Sequence, residues 1–201
     1  MHPENIAVEH HPLKPFLPPN SRILMLGSFP PPEKRWSMNF FYPNVQNDMW
    51  RIYGLLFFGD KNHFYDSVNK KFIQTDIEHF LQETGIAIYD TAVSVCRLKG
   101  NASDQFLHIV ERTDIKALLH QLPFCKAIVA TGGKAAEELC DTFGVKIPSV
   151  GGSILLENLG VRLYRMPSSS RSYPLSLDKK AAFYRSMLEL EGIIPKSDAA
   201  F

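Results

Sequence analysis

Four short apolar runs punctuate the chain, and each breaks off at a small or polar residue. The runs at 23–26, 86–89 and 127–130 are too short for amphipathic helices and show no polar alternation. They read as strands buried on both faces. A fourth run at 161–164, with residues 153–156 and the turn Asn158-Leu159-Gly160, predicts a hairpin whose second arm also joins the main sheet. Between the runs, apolar residues recur at steps of three and four. Met49, Ile52, Tyr53, Leu56 and Phe57 predict a helix over 46–58 that ends at Gly59. Ile77, Phe80 and Leu81 predict a second over 74–83, stopped by Gly85. A third is expected over 105–121, with Ser103 or Asp104 as its cap and Thr113-Asp114 as a possible interruption. Two more follow at 134–143 and 177–191, the last with Asp178 in its first turn. The stretch AVSVCRLKGNASDQ reads as a loop.

Strands alternating with helices argue a parallel sheet covered on both faces. The expected fold is α/β, a three-layer α/β/α arrangement around a central, mostly parallel four-stranded sheet. The 201 residues suit one such domain over 22–194, with an irregular N-terminal arm over 1–21 and a flexible tail over 195–201.

Composition narrows the class. Hydrophobic residues make up 45% and charged residues 21%, which fits a folded globular chain and not a disordered one. The net charge of +1 neither demands nor excludes nucleic acid; binding it would need a local basic patch. Cys96, Cys125 and Cys140 are too widely spaced for a zinc ribbon or a four-cysteine cluster, and read as reduced, mostly buried thiols. With a polar, Pro-broken N-terminus and no long apolar run, a cytoplasmic location is expected, with no membrane span. His2, His10 and His11 read as part of a flexible arm in preference to a metal site.

The informative loops all follow strand C-termini and would gather on one sheet edge. The first carries Gly27-Ser28, three prolines at Pro30, Pro31 and Pro32, the aromatics Trp36, Phe40, Phe41 and Tyr42, and the amides Asn44 and Asn47. Prolines hold such a loop in one shape. Asp90-Thr91 ends the second run. Thr131-Gly132-Gly133 ends the third, without a P-loop or dinucleotide signature. The fourth delivers Arg165-Met166-Pro167-Ser168-Ser169-Ser170-Arg171. Ser168 to Ser170 lack the GxSxG elbow of a hydrolase nucleophile. Aromatic faces and side-chain amides suit a planar heteroaromatic ligand. A Ser-rich loop with backbone N–H groups and arginines suits phosphate oxygens.

On these residues the chain resembles the uracil-DNA glycosylase superfamily, most closely the branch of mismatch-specific and hypoxanthine-type glycosylases. The likeness runs over roughly residues 12–190 and rests on four segments in order. LMLGSFPPP with FFYPNVQNDMW is similar to the family's glycine-proline loop and its aromatic-Asn-Trp segment. GIAIYDTAVSVCRLKGNASD is similar to the branch's strand-Asp segment. ATGGKAAEEL comes third, and MPSSSRSY stands in place of the His-Pro-Ser-Pro loop.

The resemblance implies a monofunctional DNA-repair enzyme that hydrolyses the N-glycosidic bond of a flipped deaminated base, uracil or hypoxanthine. It implies no metal and no cofactor, damaged DNA as the partner, and a monomer. Asn47 and Asp90 are the catalytic candidates; their other readings are a helix cap and a turn cap. Phe29 stands where many relatives carry a water-holding Asn or Asp, and either stacks on the base or packs in the core. Phe41 and Tyr42 are candidate pocket walls, or a hydrophobic staple onto the Trp50 helix. Pro30, Pro31, Ser168, Ser169, Ser170 and Arg171 are DNA-backbone candidates, the serines otherwise an exposed turn. Lys34, Arg35, Lys179 and Lys180 either complete a basic rim or are solvated surface. Met166 replaces the leaving-group His, and its thioether cannot donate a hydrogen bond. That departure keeps a second reading open: a catalytically weak nucleobase- or nucleic-acid-binding module on the same fold. A third reading, a hydrolase of free nucleosides, lacks a paired acid and base.

Overall fold

The apolar runs of the sequence lie side by side in one sheet. The computed structural model describes residues 7–98 and 106–196. Its elements are β1 (Val8–His10), β2 (Ile23–Gly27), α1 (Met49–Phe58), β3 (Tyr65–Asp66), β4 (Lys71–Phe72), α2 (Gln74–Thr84), β5 (Ile86–Asp90), β6 (Ala92–Arg97), β7 (Leu107–Arg112), α3 (Ile115–His120), β8 (Ala127–Ala130), α4 (Gly133–Phe143), β9 (Ser153–Leu156), β10 (Val161–Arg165) and α5 (Leu177–Leu190).

The main sheet has the order β5-β2-β8-β10-β9. β2 runs parallel to both β5 and β8, and β10 runs parallel to β8. The fold is therefore α/β with a mostly parallel central sheet flanked by helices, as expected, but with five strands and not four. The fifth is β9, which pairs antiparallel with β10 after a turn at Gly160, whose φ is +63°. Both arms of the expected hairpin thus join the sheet.

Every residue of β2, β5 and β8 is buried, which is why these runs lack polar alternation. Each fully enclosed Ile or Leu contributes about 2 kcal/mol by leaving water. α1 packs against α5, and the Tyr53 and Tyr184 rings meet at 6.2 Å. Tyr53 donates to the Met25 sulfur of β2 at 2.7 Å. α4 covers β8 and β10, and α2 packs on β5. Cys96, Cys125 and Cys140 are all free and buried.

Two segments differ from the sequence reading. Residues 92–97 form a strand and not a loop, and residues 107–112 form a strand where a helix was expected. β6 and β7 instead form an antiparallel pair, and β1 adds to its other edge. Leu107 is buried, His108 exposed and Ile109 half-buried, an alternation of two in a β-branched stretch that overrides the weaker helical spacing. The helix begins only at Ile115, where Asp114 caps it by accepting from the Ala117 N–H at 3.0 Å. Ser103, Asp104, Lys99 and Asn101 lie outside the described residues.

Within the expected arm, residues 7–21 lie along the domain and include a short strand, Val8–His10. Beyond β1, Phe16 and Ile88 exchange backbone hydrogen bonds of 3.0 and 2.9 Å and so cover the free edge of β5. No helix among the described residues is long and apolar enough to cross a membrane.

The chain leaves β2 toward β5 on one side and leaves β8 toward β10 on the other. That reversal opens a crevice above the C-terminal ends of β2 and β8, where ligands bind in open α/β sheets.

Candidate functional site

A cavity of about 710 Å³ occupies this crevice. Its wall includes Phe29, Pro30, Pro31, Phe41, Tyr42, Asn47, Asp90, Ser168, Ser169, Ser170 and Arg171, so the catalytic, pocket-wall and DNA-backbone candidates of the sequence come to one place; Lys34, Lys179 and Lys180 do not line it. Gly27, Ser28, Arg35, Asn44, Gln46, Thr131 and Gly132 line it as well.

The floor is set by β2 and β5. Gly27 pairs with Asp90 across the two strands. A β-carbon at Gly27 would collide with Asp90 Oδ1 and stand 3.1 Å from the Tyr42 hydroxyl. Glycine is required here because the carboxylate passes over its backbone. Asp90 is 5% exposed. Its Oδ2 lies 2.9 Å from Nε2 of His11, while Oδ1 has no hydrogen-bond partner among the described residues. The turn-cap alternative for Asp90 is therefore not what its side chain does: the Asp90 carbonyl accepts from Thr113, while the carboxylate faces His11. Burial first, and then the Asp90 charge, push the neighbouring Tyr89 phenol up.

The first loop is tied down at each turn. The Arg97 guanidinium donates to the Pro30 carbonyl and lies 5.5 Å over the Phe29 ring. The Trp36 indole donates to the Pro31 carbonyl at 2.7 Å. Phe29, 9% exposed, packs on Ala92, Val95 and Leu107 and also borders the cavity, so both of its readings hold together. Phe41 is 2% exposed and its carbonyl accepts from the Trp50 indole at 3.0 Å, which joins wall and core packing in one residue. Tyr42 adopts φ +49°, rare for a residue with a side chain. In that conformation its hydroxyl meets Thr131 Oγ1 at 2.6 Å, bridging the loops after β2 and β8.

Asn47 performs its capping role and leaves half of its amide over. Its Oδ1 accepts from the Met49 N–H at 2.9 Å, and the helix starts at Met49 and not at 46. The amide nitrogen has no partner among the described residues, on a residue that lines the cavity.

The fourth loop is joined directly to the first. Asn47 and Ser170 form an isolated antiparallel bridge. The Asp48 N–H donates to the Ser169 carbonyl at 2.8 Å, and the Arg171 N–H to the Gln46 carbonyl at 3.3 Å. Ser169 is 2% exposed, so an exposed turn does not describe it. Ser170 Oγ meets Ser172 Oγ at 2.8 Å at the rim. Arg171 is 44% exposed and donates to Asp48 Oδ1 at 3.0 Å. Lys180, read as rim or surface in the sequence, is fully buried; it donates to Asp48 Oδ2. Lys34, Arg35 and Lys179 are exposed. Met166 is 1% exposed, packed in the core away from the cavity wall.

Sequence reasoning missed His11. It sits in a segment with no periodicity to place it, and nothing in its own neighbourhood marks it apart from His10. Among the described residues no group of three or more His, Cys, Asp or Glu side chains is arranged to hold a metal ion. The arrangement offers a buried carboxylate with one open oxygen, an amide donor, aromatic walls and a hydroxyl-bearing rim. Such a set can enclose a planar polar ring and act on a water or a proton beside it.

No protein-family model matches the chain, and no curated protein matches it in sequence. Among solved structures, it is similar to the solution NMR structure of a putative uracil DNA glycosylase from Methanosarcina acetivorans. The TM-score is 0.59 at 20% sequence identity, over 90% of this chain and 99% of that one. Similarity at that identity speaks for the fold, and the two proteins share it over nearly their whole lengths.

Proposed function

We propose that the protein is a DNA-repair glycosylase that hydrolyses the N-glycosidic bond of a flipped deaminated base, uracil or hypoxanthine, and that it belongs with the mismatch-specific and hypoxanthine-type glycosylases. The observation that carries this reading is Asp90, buried on the cavity floor with Oδ1 open to the space where a base and its sugar would lie.

A base in a duplex is out of reach, so it must leave the stack and enter a closed pocket. Phe29, Phe41 and Tyr42 offer faces and edges for it, and the Asn47 amide offers a donor to a carbonyl on its polar edge. Ser168, Ser169, Ser170 and Arg171 line the cavity with Pro30 and Pro31, and in this reading they meet the flanking DNA backbone. As the bond breaks, negative charge gathers on the departing base, and a donor such as Asn47 lowers its energy. Asp90 is placed to orient the water that attacks the sugar. The reaction needs no redox chemistry. The same cavity also fits the second reading, a binding module, because Met166 lies in the core and brings no donor to the leaving base.

A glycosylase assay separates the two. Oligonucleotides carrying one uracil, hypoxanthine, xanthine or hydroxymethyluracil are incubated with the protein and then treated with alkali. Strand cleavage at the uracil or hypoxanthine site is expected. DNA binding without an abasic product at any lesion would leave the binding module in its place.

A further inference from the structure

Asp90 does not act from an isolated position. His11 comes from the far end of the chain, set by β1, whose His10 pairs with Ser94 of β6. The backbone N–H of His11 donates to the Val93 carbonyl at 2.8 Å. Its side chain is 2% exposed, and Nε2 lies 2.9 Å from Asp90 Oδ2. The ring is walled by Tyr89, Phe29 and Phe41, with centroids at 4.6, 5.3 and 6.1 Å. The titratable groups around it are Asp90 and Tyr89 of β5, Tyr42, whose hydroxyl approaches Gly27 on the same side as Asp90 Oδ1, and the Arg97–Glu9 ion pair behind Phe29.

The other ring nitrogen is held as well. Nδ1 lies 3.1 Å from the Leu13 backbone nitrogen and 2.9 Å from the Leu13 carbonyl oxygen. With its proton on Nε2, the ring accepts the Leu13 N–H at Nδ1 and directs Nε2–H at Asp90 Oδ2.

We propose that His11 is a positioning residue for hydrolysis at this site: it grips Asp90 at Oδ2 and so keeps Oδ1 facing the cavity to take the proton of the attacking water. This rests on the glycosylase reading above. The water oxygen bonds to the sugar C1′ as the C1′–N bond breaks, and that bond's electron pair leaves on the base. The water proton passes to Asp90 Oδ1. The base anion then takes a proton from solvent, and Asp90 returns its own to solvent, so the net change is addition of one water across the bond. His11 touches neither the base nor the sugar. Its effect is to orient the carboxylate through the contact at Oδ2 and so to fix which oxygen is free.

The test is single-turnover cleavage of a uracil or hypoxanthine oligonucleotide over a range of protein concentrations by wild type, His11→Phe and His11→Gln, with a thermal melt of each. His11→Phe fills the aromatic niche but removes the donor. It is expected to cut about 10²-fold more slowly at neutral pH, the range a general base supplies. The loss is expected in the rate at saturating protein, with the protein concentration that gives half the maximal rate within about twofold of wild type. His11→Gln keeps an N–H donor and is expected to restore the rate to within about tenfold of wild type. If His11→Phe melts below the assay temperature, His11→Asn, too short to reach Oδ2, takes its place. Wild-type rates in the donor-less variant, or a loss confined to the half-saturating concentration with the maximal rate unchanged, would overturn the role of His11 alone. No abasic product from wild-type protein would overturn the reaction itself and this role with it.

Discussion

Lys180 donates from a fully buried ammonium group to Asp48 Oδ2 at 2.9 Å, and so pins α5 beneath the start of α1. The same nitrogen donates to the Ser170 carbonyl at 2.8 Å. One side chain thereby holds the two loops that face each other across the cavity, residues 46–48 and 169–171. Asp48 gains a second partner in Arg171 at the surface. Removing Lys180 leaves the buried Asp48 with only the half-exposed Arg171 as its charged partner and the Ser170 carbonyl without its donor. Lys180→Met is therefore expected to cost about 3 kcal/mol in urea unfolding. The exposed change Lys179→Met should fall within about 0.5 kcal/mol of wild type. Equal midpoints for the two variants would show that Lys180 does not hold the loops.

Gly27 answers to Asp90 in the same way that Asp48 answers to Lys180. A methyl group at 27 would meet Asp90 Oδ1 inside van der Waals contact, and the carboxylate is fixed on its other side by His11. Gly27→Ala is expected to cost about 1–3 kcal/mol as overpacking, and to slow base release by at least about tenfold by turning the carboxylate. Chemical denaturation and single-turnover cleavage measure the two effects separately. A stable variant with unchanged cleavage would place the reacting atoms elsewhere in the cavity.

Asn47 has two functions that one pair of variants can divide. Its Oδ1 caps α1, and its amide nitrogen borders the cavity. Asn47→Ala loses both, with a cap cost of about 1 kcal/mol. Asn47→Asp keeps an acceptor for the Met49 N–H but replaces the donor with a negative charge beside the departing base. It should fold as well as wild type and yet lose at least about 10²-fold in cleavage. A fully active Asn47→Asp would leave Asn47 as a cap and nothing more.

Much of this was legible from residue order, because buried parallel strands and loop prolines leave local signatures. The runs at 23–26, 86–89 and 127–130 had no other use than a sheet core, and parallel pairing then forces their C-terminal loops to one edge. What was not legible depended on contacts across long separations. β6 and β7 have weak local patterns and exist because they pair with each other and with β1. His11 meets Asp90 over 79 residues, and Lys180 meets Asp48 over 132. A lysine beside Lys179 at the start of a helix reads as surface until the loop above it is known to carry an aspartate.

Thiol chemistry gives a check on the core that is independent of function. All three cysteines are buried, and burial pushes the Cys125 thiol up to about 11, partly opposed by backbone hydrogen bonds. Native protein at pH 8 is expected to resist a thiol reagent such as DTNB, with three equivalents released on denaturation. The sign of the linkage follows from a folded pKa above the unfolded one: the unfolded thiol ionises near pH 8.5 while the folded one stays protonated. The contribution of Cys125 to stability is thus whole below that pH and falls away as pH rises toward 11. Cys125→Ala should show a shallower alkaline loss of stability than wild type. Parallel alkaline curves would mean that the thiol is not so enclosed.

Binding to DNA should depend on salt through few side chains, since the net charge of +1 supplies no general attraction. Arg35 and Arg171 are the cationic residues on the cavity wall. They are not equivalent. Arg171 already donates to Asp48, which also binds Lys180, so its charge is shared before any phosphate arrives. Arg35 ends a short turn that begins at Glu33, is exposed, and sits on the proline loop held by Arg97 and Trp36. If each phosphate neutralised adds about −0.9 to the slope of log K against log salt, Arg35→Ala should reduce the slope by about one. Arg171→Ala should reduce it less, and should also loosen the seam between the loops, lowering affinity at all salt concentrations. Fluorescence anisotropy over a salt series with a uracil-containing duplex reads both numbers. A wild-type affinity flat in salt would rule out a phosphate-tracking rim at this mouth and, with it, the DNA substrate.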